Sequence, residues 1–354
     1  MLDRQTDRQT DRQTDRQTDR GIQILRIMSC LAVFFCHFGQ RLHINSISSD
    51  LYNFSQLGRF GVELFFVISG YLACFSLSNG KSISSFYKKR AIRILPLYYF
   101  CILYYFITET LVFKNIPEDA MHLGWLRYIF CLNGIVPSEG YFWSNIGITW
   151  TIPVFVVFYL IAPLVVKIAK STWSSALVLV ISIILSILIK DKGNGWFSAF
   201  TYMPCFIMGV VVYNAKKENR KFITLLGFQL FLLLTKFCEW NRYFSKAIQI
   251  SELFIISSIF ASIVLLSHEV NINNKKTIKV LDFLDEHSYT LYLVHGITFC
   301  GIIDKFDVSA FGNIAIAVIF RLVISIIVTC TLTIIIHRFV EKPIQKFLTH
   351  KFLH

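Results

Sequence analysis

Ile314-Ala-Ile-Ala-Val-Ile-Phe-Arg321-Leu-Val-Ile-Ser-Ile-Ile-Val-Thr-Cys-Thr-Leu-Thr-Ile-Ile-Ile336 is a long apolar run, interrupted by Arg321 and hydroxyl residues. A run of about 20 apolar residues is as long as the hydrocarbon core of a bilayer is thick when it is coiled as a helix. Leu177 to Ile189 and Phe222 to Leu234 have the same character. Across all 354 residues, 55% are hydrophobic and 16% charged, with a mean hydropathy of +0.56. Soluble domains usually carry about 25% charged residues. The sequence therefore predicts an all-α polytopic membrane protein, with no stretch left over for a separate soluble catalytic domain.

Apolar windows predict ten helices, near 22–39, 59–78, 91–113, 145–166, 174–189, 196–213, 222–237, 248–267, 288–303 and 312–336. The loops at 79–93, 167–172, 214–221 and 268–286, with the tail from 337, hold eighteen Lys and Arg, more than the loops between them. That bias places these loops and both termini in the cytoplasm. The net charge of +13 is thereby explained by loops between spans, which argues against a nucleic-acid partner. The thirty-four Phe and fifteen Tyr suit a chain with much lipid-facing and interfacial surface. The nine Cys are scattered and form no Cys-x-x-Cys pair or Cys/His cluster with metal spacing, so they read as small buried hydrophobes and no metal is expected.

Residues 3–18 are four copies of Asp-Arg-Gln-Thr, and Asp19-Arg20 begins a fifth. With balanced charge and no apolar residue, residues 1–20 are expected to be disordered and unlike a signal peptide. The codons GAC-AGA-CAG-ACA spell this tetrapeptide and are also the tetranucleotide GACA repeated. Gain or loss of one unit shifts the reading frame, so phase variation of the downstream protein is expected. The expected organisation is then this repeat, a membrane domain over 21–347 and a short cytoplasmic tail over 348–354.

Titratable groups inside spans are costly and rare, and so are functional candidates. They are Arg26 and His37 in the first span, Glu63 in the second, His295 in the ninth and Arg321 in the tenth. Arg26 and His37 are eleven residues apart, which puts them within about 20° on one helix face and ~16 Å apart along it. An anion-binding group toward one end and a general base toward the other suit a helix lining a path across the bilayer. Snorkelling of Arg26 and packing of His37 are the plainer alternative. At the start of the third span, Lys88-Lys89-Arg90-Ala-Ile-Arg93 is followed by Ile-Leu-Pro96. Arg90 and Arg93, at i and i+3, share a face and can grip one polyphosphate, or simply anchor the span as positive-inside residues. Tyr98, Tyr99, Tyr104 and Tyr105 follow, as a pocket wall or interfacial belt.

These segments in this order resemble the acyltransferase 3 family of membrane acyltransferases. The resemblance runs through Ile22 to Phe38 with Arg26 and His37, Gly61-Val-Glu63 to Leu72, and Phe86 to Tyr99 with the Arg-x-x-Arg motif. It continues in Ser288 to His295 and in Phe339-Val-Glu341-Lys-Pro343. Thr149-Trp150-Thr-Ile-Pro153 resembles the family's tryptophan-led fourth-span motif, which usually carries a glutamate where this chain has Phe155. The resemblance implies an O-acetyltransferase that moves an acetyl or other acyl group from cytoplasmic acetyl-CoA to a hydroxyl of a glycan or lipid-linked glycan, in the inner membrane of a bacterium. The phase-variation reading favours a surface acceptor such as lipopolysaccharide, lipooligosaccharide or capsule. In this reading His37 is general base or acyl carrier, Glu63 orients it, and Arg26, Arg90 and Arg93 hold the donor; Trp150, His295 and Glu341 are further candidates. A transporter or flippase of lipid-linked sugars predicts repeated hydropathy halves, which the sequence lacks. A family member with impaired catalysis is the third reading, resting on Phe155.

Overall fold

The computed structural model describes residues 20–41, 49–80, 82–116, 124–132, 144–189, 199–240, 245–302 and 313–353. The tetrapeptide repeat up to residue 19 lies outside them. The described residues are helical and contain no strand. Helices are α1 (Arg20–Arg41), α2 (Ser49–Gln56), α3 (Gly61–Ser78), α4 (Ile83–Ile107), α5 (Trp125–Ile129), α6 (Thr151–Ile168), α7 (Thr172–Ile189), α8 (Met203–Lys217), α9 (Lys221–Trp240), α10 (Ser245–Ser267), α11 (Lys275–Gly296), α12 (Ile314–Ile336) and α13 (Lys342–Leu353).

A helix overlaps each of the ten expected windows, but among the described residues six helical stretches are long and apolar enough to cross a membrane. They are Arg20–Arg41, Ser49–Ser78, Ile83–Val112, Gly147–Ile168, Thr172–Ile189 and Ala315–Leu353. Two boundaries differ instructively from expectation. The ninth window begins at 288, yet α11 starts thirteen residues earlier, at Lys275, where Asn274 caps its first turn through Lys276 N (2.9 Å). Hydropathy misses this extension because Lys275, Lys276, Lys279, Asp282 and Asp285 lie in it; the two aspartates pair with Arg20 and Arg26 of α1. Of the expected tail, residues 348–353 form the end of α13, where Lys88 Nζ donates to the Phe352 carbonyl at 3.0 Å.

At the centre lie α3 and α8. Every residue of α8 from Met203 to Ala215 is buried, as expected of a helix apolar on all sides. The two helices cross at Gly70 and Gly209. A Cβ at Gly70 would lie 1.9 Å from the Phe206 carbonyl oxygen, and one at Gly209 would lie 2.0 Å from that of Val67. Small residues at such a crossing let backbones touch where lipid supplies no hydrophobic drive for helix association. Around this pair, α1, α6 and α10 pack on α3, while α7 and α10 pack on α8. By contrast, α7 exposes Leu177, Val180, Ile184 and Leu188, and α12 exposes Ile316, Ile319, Val323 and Ile327. These apolar stripes suit contact with lipid tails.

The polar turn between α8 and α9 also caps a neighbour. The Glu218 carboxylate accepts from Thr172 N (3.2 Å) and Thr172 Oγ1 (2.8 Å) at the start of α7. The Thr172 hydroxyl bond holds this carboxyl below the usual carboxylate range. An anionic acceptor at a helix N-terminus satisfies orphan amides and complements the dipole.

Candidate functional site

The site is built on two parallel neighbours, α1 and α11. Their register is set by Arg20–Asp282 (2.5 Å), Arg26–Asp285 (2.7 Å), the Cys30 thiol on the Ser288 carbonyl (3.2 Å), and the His37–His295 ring pair (centroids 5.2 Å apart, stacked). On α11 the positions Asp285, Ser288, Tyr292 and His295 fall within a stripe of about 80°. That stripe answers the Arg26–His37 face of α1 group for group.

At the Arg26 end, the structure brings Arg26, Arg90 and Arg93 around one cavity of about 760 Å³. Its walls come from α3 (Phe65, Ser69, Leu72), α6 (Thr151, Phe155, Tyr159) and α11 (Ser288, Tyr289, Tyr292). Arg26 is anchored by Asp285; Arg26 Nε and Asp285 Oδ1 are buried without a hydrogen-bond partner among the described residues. A buried ion pair with unsatisfied atoms is expensive and leaves polar capacity for a ligand. Arg90 lies over the Tyr159 ring (5.0 Å) and the Phe86 ring (5.4 Å), which orients its guanidinium without consuming its charge. Pro96 explains the local backbone. It offers no amide to Ile92 and loosens the preceding turn, and outside groups reach that turn's carbonyls. Tyr289 OH donates to Ile94 O at 2.8 Å and Gln345 Nε2 to Arg93 O at 3.4 Å.

Two further spaces adjoin this cavity. Arg93 and Tyr289 also line a wider polar chamber of about 1,520 Å³ with Lys89, Lys342 and Lys346. Arg90, Ile94 and Tyr159 also line an apolar groove of about 820 Å³ between α4 and α6, with Leu95, Val156 and Leu160. The two motif arginines therefore stand at partitions, each reaching two spaces.

At the other end of α1, His37 Nδ1 lies 3.0 Å from Gln40 Oε1, and Gln40 in turn donates to Gln56 at 2.8 Å. His295 is fully buried. Its Nδ1 lies 3.3 Å from the Leu291 carbonyl, whereas Nε2 has no hydrogen-bond partner among the described residues. Phe34, Phe299 and Tyr292 surround it edge-on. A nitrogen lone pair is thus kept in an aromatic enclosure next to His37.

Among the described contacts Glu63 does not pair with His37. His37 meets Gln40 and His295 instead. Gly58 packs on Ala32 and Cys36, and Gly61 on Ser29 and Val33, so α3 runs antiparallel to α1 and moves away from His37. Glu63, two residues beyond Gly61, is turned about 200° from that contact. It is buried instead on the side of Tyr292 and Cys205.

The remaining candidates are dispersed. Trp150 closes a turn of 3₁₀ helix (Ser144–Trp150) and packs against Phe66 and Tyr202. Phe155 lies in the arginine cavity's wall, packed on Phe66, Phe206 and Tyr159. Glu341 ends a π-helical turn (His337–Glu341), where it accepts from Thr290 Oγ1, from Gln345 Nε2 (2.9 Å) and from His337 (2.9 Å). Arg321 lies on α12 between Val318 and Leu322, which pack against the Phe34–Phe38–Phe299 cluster beside His37. Of the four tyrosines after the motif, Tyr98 and Tyr99 donate to the carbonyls of Tyr128 and Ile129 (2.9 and 2.7 Å) and hold α5. Asp285, Tyr289 and Tyr292 were missed, although the ten-residue spacing of Asp285 and His295 nearly repeats that of Arg26 and His37.

A family model described as an acyltransferase domain, that of acyltransferase 3, matches residues 19–338. The chain belongs to the acyltransferase 3 family. Similar curated proteins include the acyltransferase MdmB of Streptomyces mycarofaciens, 23% identical over 153 residues, and Nodulation protein 10 of Rhizobium leguminosarum bv. viciae, 27% identical over 173 residues. These matches cover 42% and 41% of this chain, and 39% and 43% of those proteins. The chain thus spans less than half the length of the curated relatives it matches. No solved structure matches.

Proposed function

We propose that this multi-pass acyltransferase moves an acetyl group from acetyl-CoA to a hydroxyl of a cell-surface glycan, such as lipopolysaccharide, lipooligosaccharide or capsule. The observation that carries this reading is the convergence of Arg26, Arg90 and Arg93 on one cavity at the end of α1 opposite His37. Three guanidiniums from two helices suit a polyanion such as the phosphates of coenzyme A. The excess of Lys and Arg in alternate loops supports a cytoplasmic position for that end, at a bacterial inner membrane, where acyl-CoA is found. The acyl arm then extends along the α1–α11 stripe past Tyr292 toward the histidine pair.

At the far end, His37 acts as general base on the acceptor hydroxyl, and His295 is its neighbour in place of Glu63. A neutral imidazole close to an acceptor hydroxyl takes its proton as the oxygen attacks the thioester carbonyl, and coenzyme A leaves as the thiol. The Asp-Arg-Gln-Thr repeat supports a phase-variable surface acceptor. Mass spectrometry of the surface glycan tests the whole reading, using cells with the gene in frame, out of frame, and carrying His37→Ala. A shift of one acetyl unit confined to the in-frame parent is expected. No shift, with normal amounts of protein in the membrane, overturns it.

A further inference from the structure

The polar chamber has a cluster that the proposed acyl-transfer chemistry does not use. Glu286 and His287 lie just past the middle of α11, and His337 opens the π-helical turn after α12. One ligand atom from each of the three lies within 4.8 Å of the others. The two imidazole rings are 4.3 Å apart between centroids, and His337 Nε2 is 3.4 Å from Glu286 Oε1.

What separates this cluster from a chance meeting of polar groups is how each imidazole is held. His287 Nδ1 lies 2.7 Å from the Phe283 carbonyl, which has only lone pairs, so the ring nitrogen there carries the proton. His337 Nδ1 lies 2.9 Å from the Glu341 carboxylate, itself buried and bonded by Thr290 and Gln345. Both rings are thereby set in the tautomer that leaves the lone pair on Nε2. A carboxylate or carbonyl behind Nδ1–H, with Nε2 facing a shared point, is the usual second-sphere arrangement of a metal-binding histidine. The Glu286 carboxylate supplies the third ligand and is half exposed to the chamber, which gives an entry path.

We propose that Glu286, His287 and His337 form a binding site for a divalent cation of the zinc class, clipping α11 to the turn between α12 and α13. Two imidazoles and one carboxylate, with a position open to water, suit zinc rather than magnesium or calcium. In a tetrahedral site with bonds of about 2.0–2.1 Å the ligand atoms stand about 3.3 Å apart. The three side chains close by roughly an ångström or more on binding. Lys342 Nζ, now 2.8 Å from Glu286 Oε1, is the cation that the metal displaces. A metal here braces the helix carrying Asp285 and Tyr289 against the helix carrying Gln345, and so stiffens the wall between the chamber and the arginine cavity.

The test uses the full chain purified in detergent, with any affinity tag of histidines removed. After chelation and dialysis, zinc is titrated by calorimetry and bound metal is counted by mass spectrometry. One zinc per chain at micromolar or tighter affinity is expected, with a rise in melting temperature. Glu286→Gln and His287→Ala, neither of them at a fully buried position, should each weaken binding by more than about tenfold. Cobalt(II) added to the parent chain should give the visible absorption of a tetrahedral nitrogen–oxygen site, a readout that needs no variant to fold. Binding only at millimolar zinc, less than one metal per folded chain, or equal binding by the double variant overturns the proposal.

Discussion

The two ends of α1 solve opposite problems with the same neighbour. At the Arg26 end, α11 supplies Asp285, and charges are gathered around an open cavity with Arg90 and Arg93. At the His37 end, α11 supplies His295, and the surroundings are aromatic, with no carboxylate paired to either ring among the described residues. One end is built to hold charge, and the other to set a histidine pair among aromatic rings. The difference suggests that donor binding and proton transfer can be damaged separately, and each substitution below tests that separation.

The largest effect is expected from His37→Ala, which should lower kcat for acyl transfer by about 10²–10⁴ as lost general-base catalysis does. The KM for acyl-CoA should stay near that of the parent, measured with radiolabelled donor in membranes. A large rise in KM would merge the two ends. Next, Asp285→Ala leaves Arg26 buried without its counter-ion and should destabilise the chain by about 3–5 kcal/mol. Replacing Arg26 and Asp285 together by Met should restore much of that stability, since removing both charges removes the uncompensated one, yet donor use should remain impaired. Thermal unfolding in detergent, read beside activity, distinguishes the two outcomes.

Smaller effects should follow at the motif arginines. Arg90→Ala or Arg93→Ala each removes a charged hydrogen-bonding partner worth about 1.5–3 kcal/mol, or roughly ten- to hundredfold in KM for acyl-CoA. Unchanged KM in both would break the assignment of this end to the donor. The smallest is Tyr292→Phe, between the ends, which loses the 3.0 Å bond to Thr151 Oγ1 and should cost about 1 kcal/mol of stability. It should leave both ends working.

Much of this was legible beforehand because solvent imposes it. Apolar runs of bilayer length announce helices, and a period of 3.6 residues placed Arg26 and His37 on one face without any coordinates. Other features were hidden for particular reasons. The polar first half of α11 does not register as part of a long helix in hydropathy, since Lys275, Lys276, Lys279, Asp282 and Asp285 lie in it and the pairing of the two aspartates with α1 joins distant segments. The partner of His37 could not be chosen from spacing, because Glu63 and His295 are both titratable groups in spans and only the helix rotation at Gly61 separates them. In the sequence Phe155 stands only as the place of an absent carboxylate, whereas its packing against Phe66, Phe206 and Tyr159 shows how an apolar side chain fills that wall.

The sequence by itself determined the helical class, the membrane setting, the family's motifs and the face of α1, because burial in lipid and helical periodicity are properties of consecutive residues. Only the tertiary structure decided the parallel register of α1 and α11, the convergence of three arginines, the pairing of His37 with His295, and the meeting of Glu286 and His287 with His337. Those contacts join segments some 50 to 260 residues apart, and their geometry depends on how helices rotate and cross. At α3 and α8 that crossing turns on two glycines whose significance appears only when each is seen against the other's backbone.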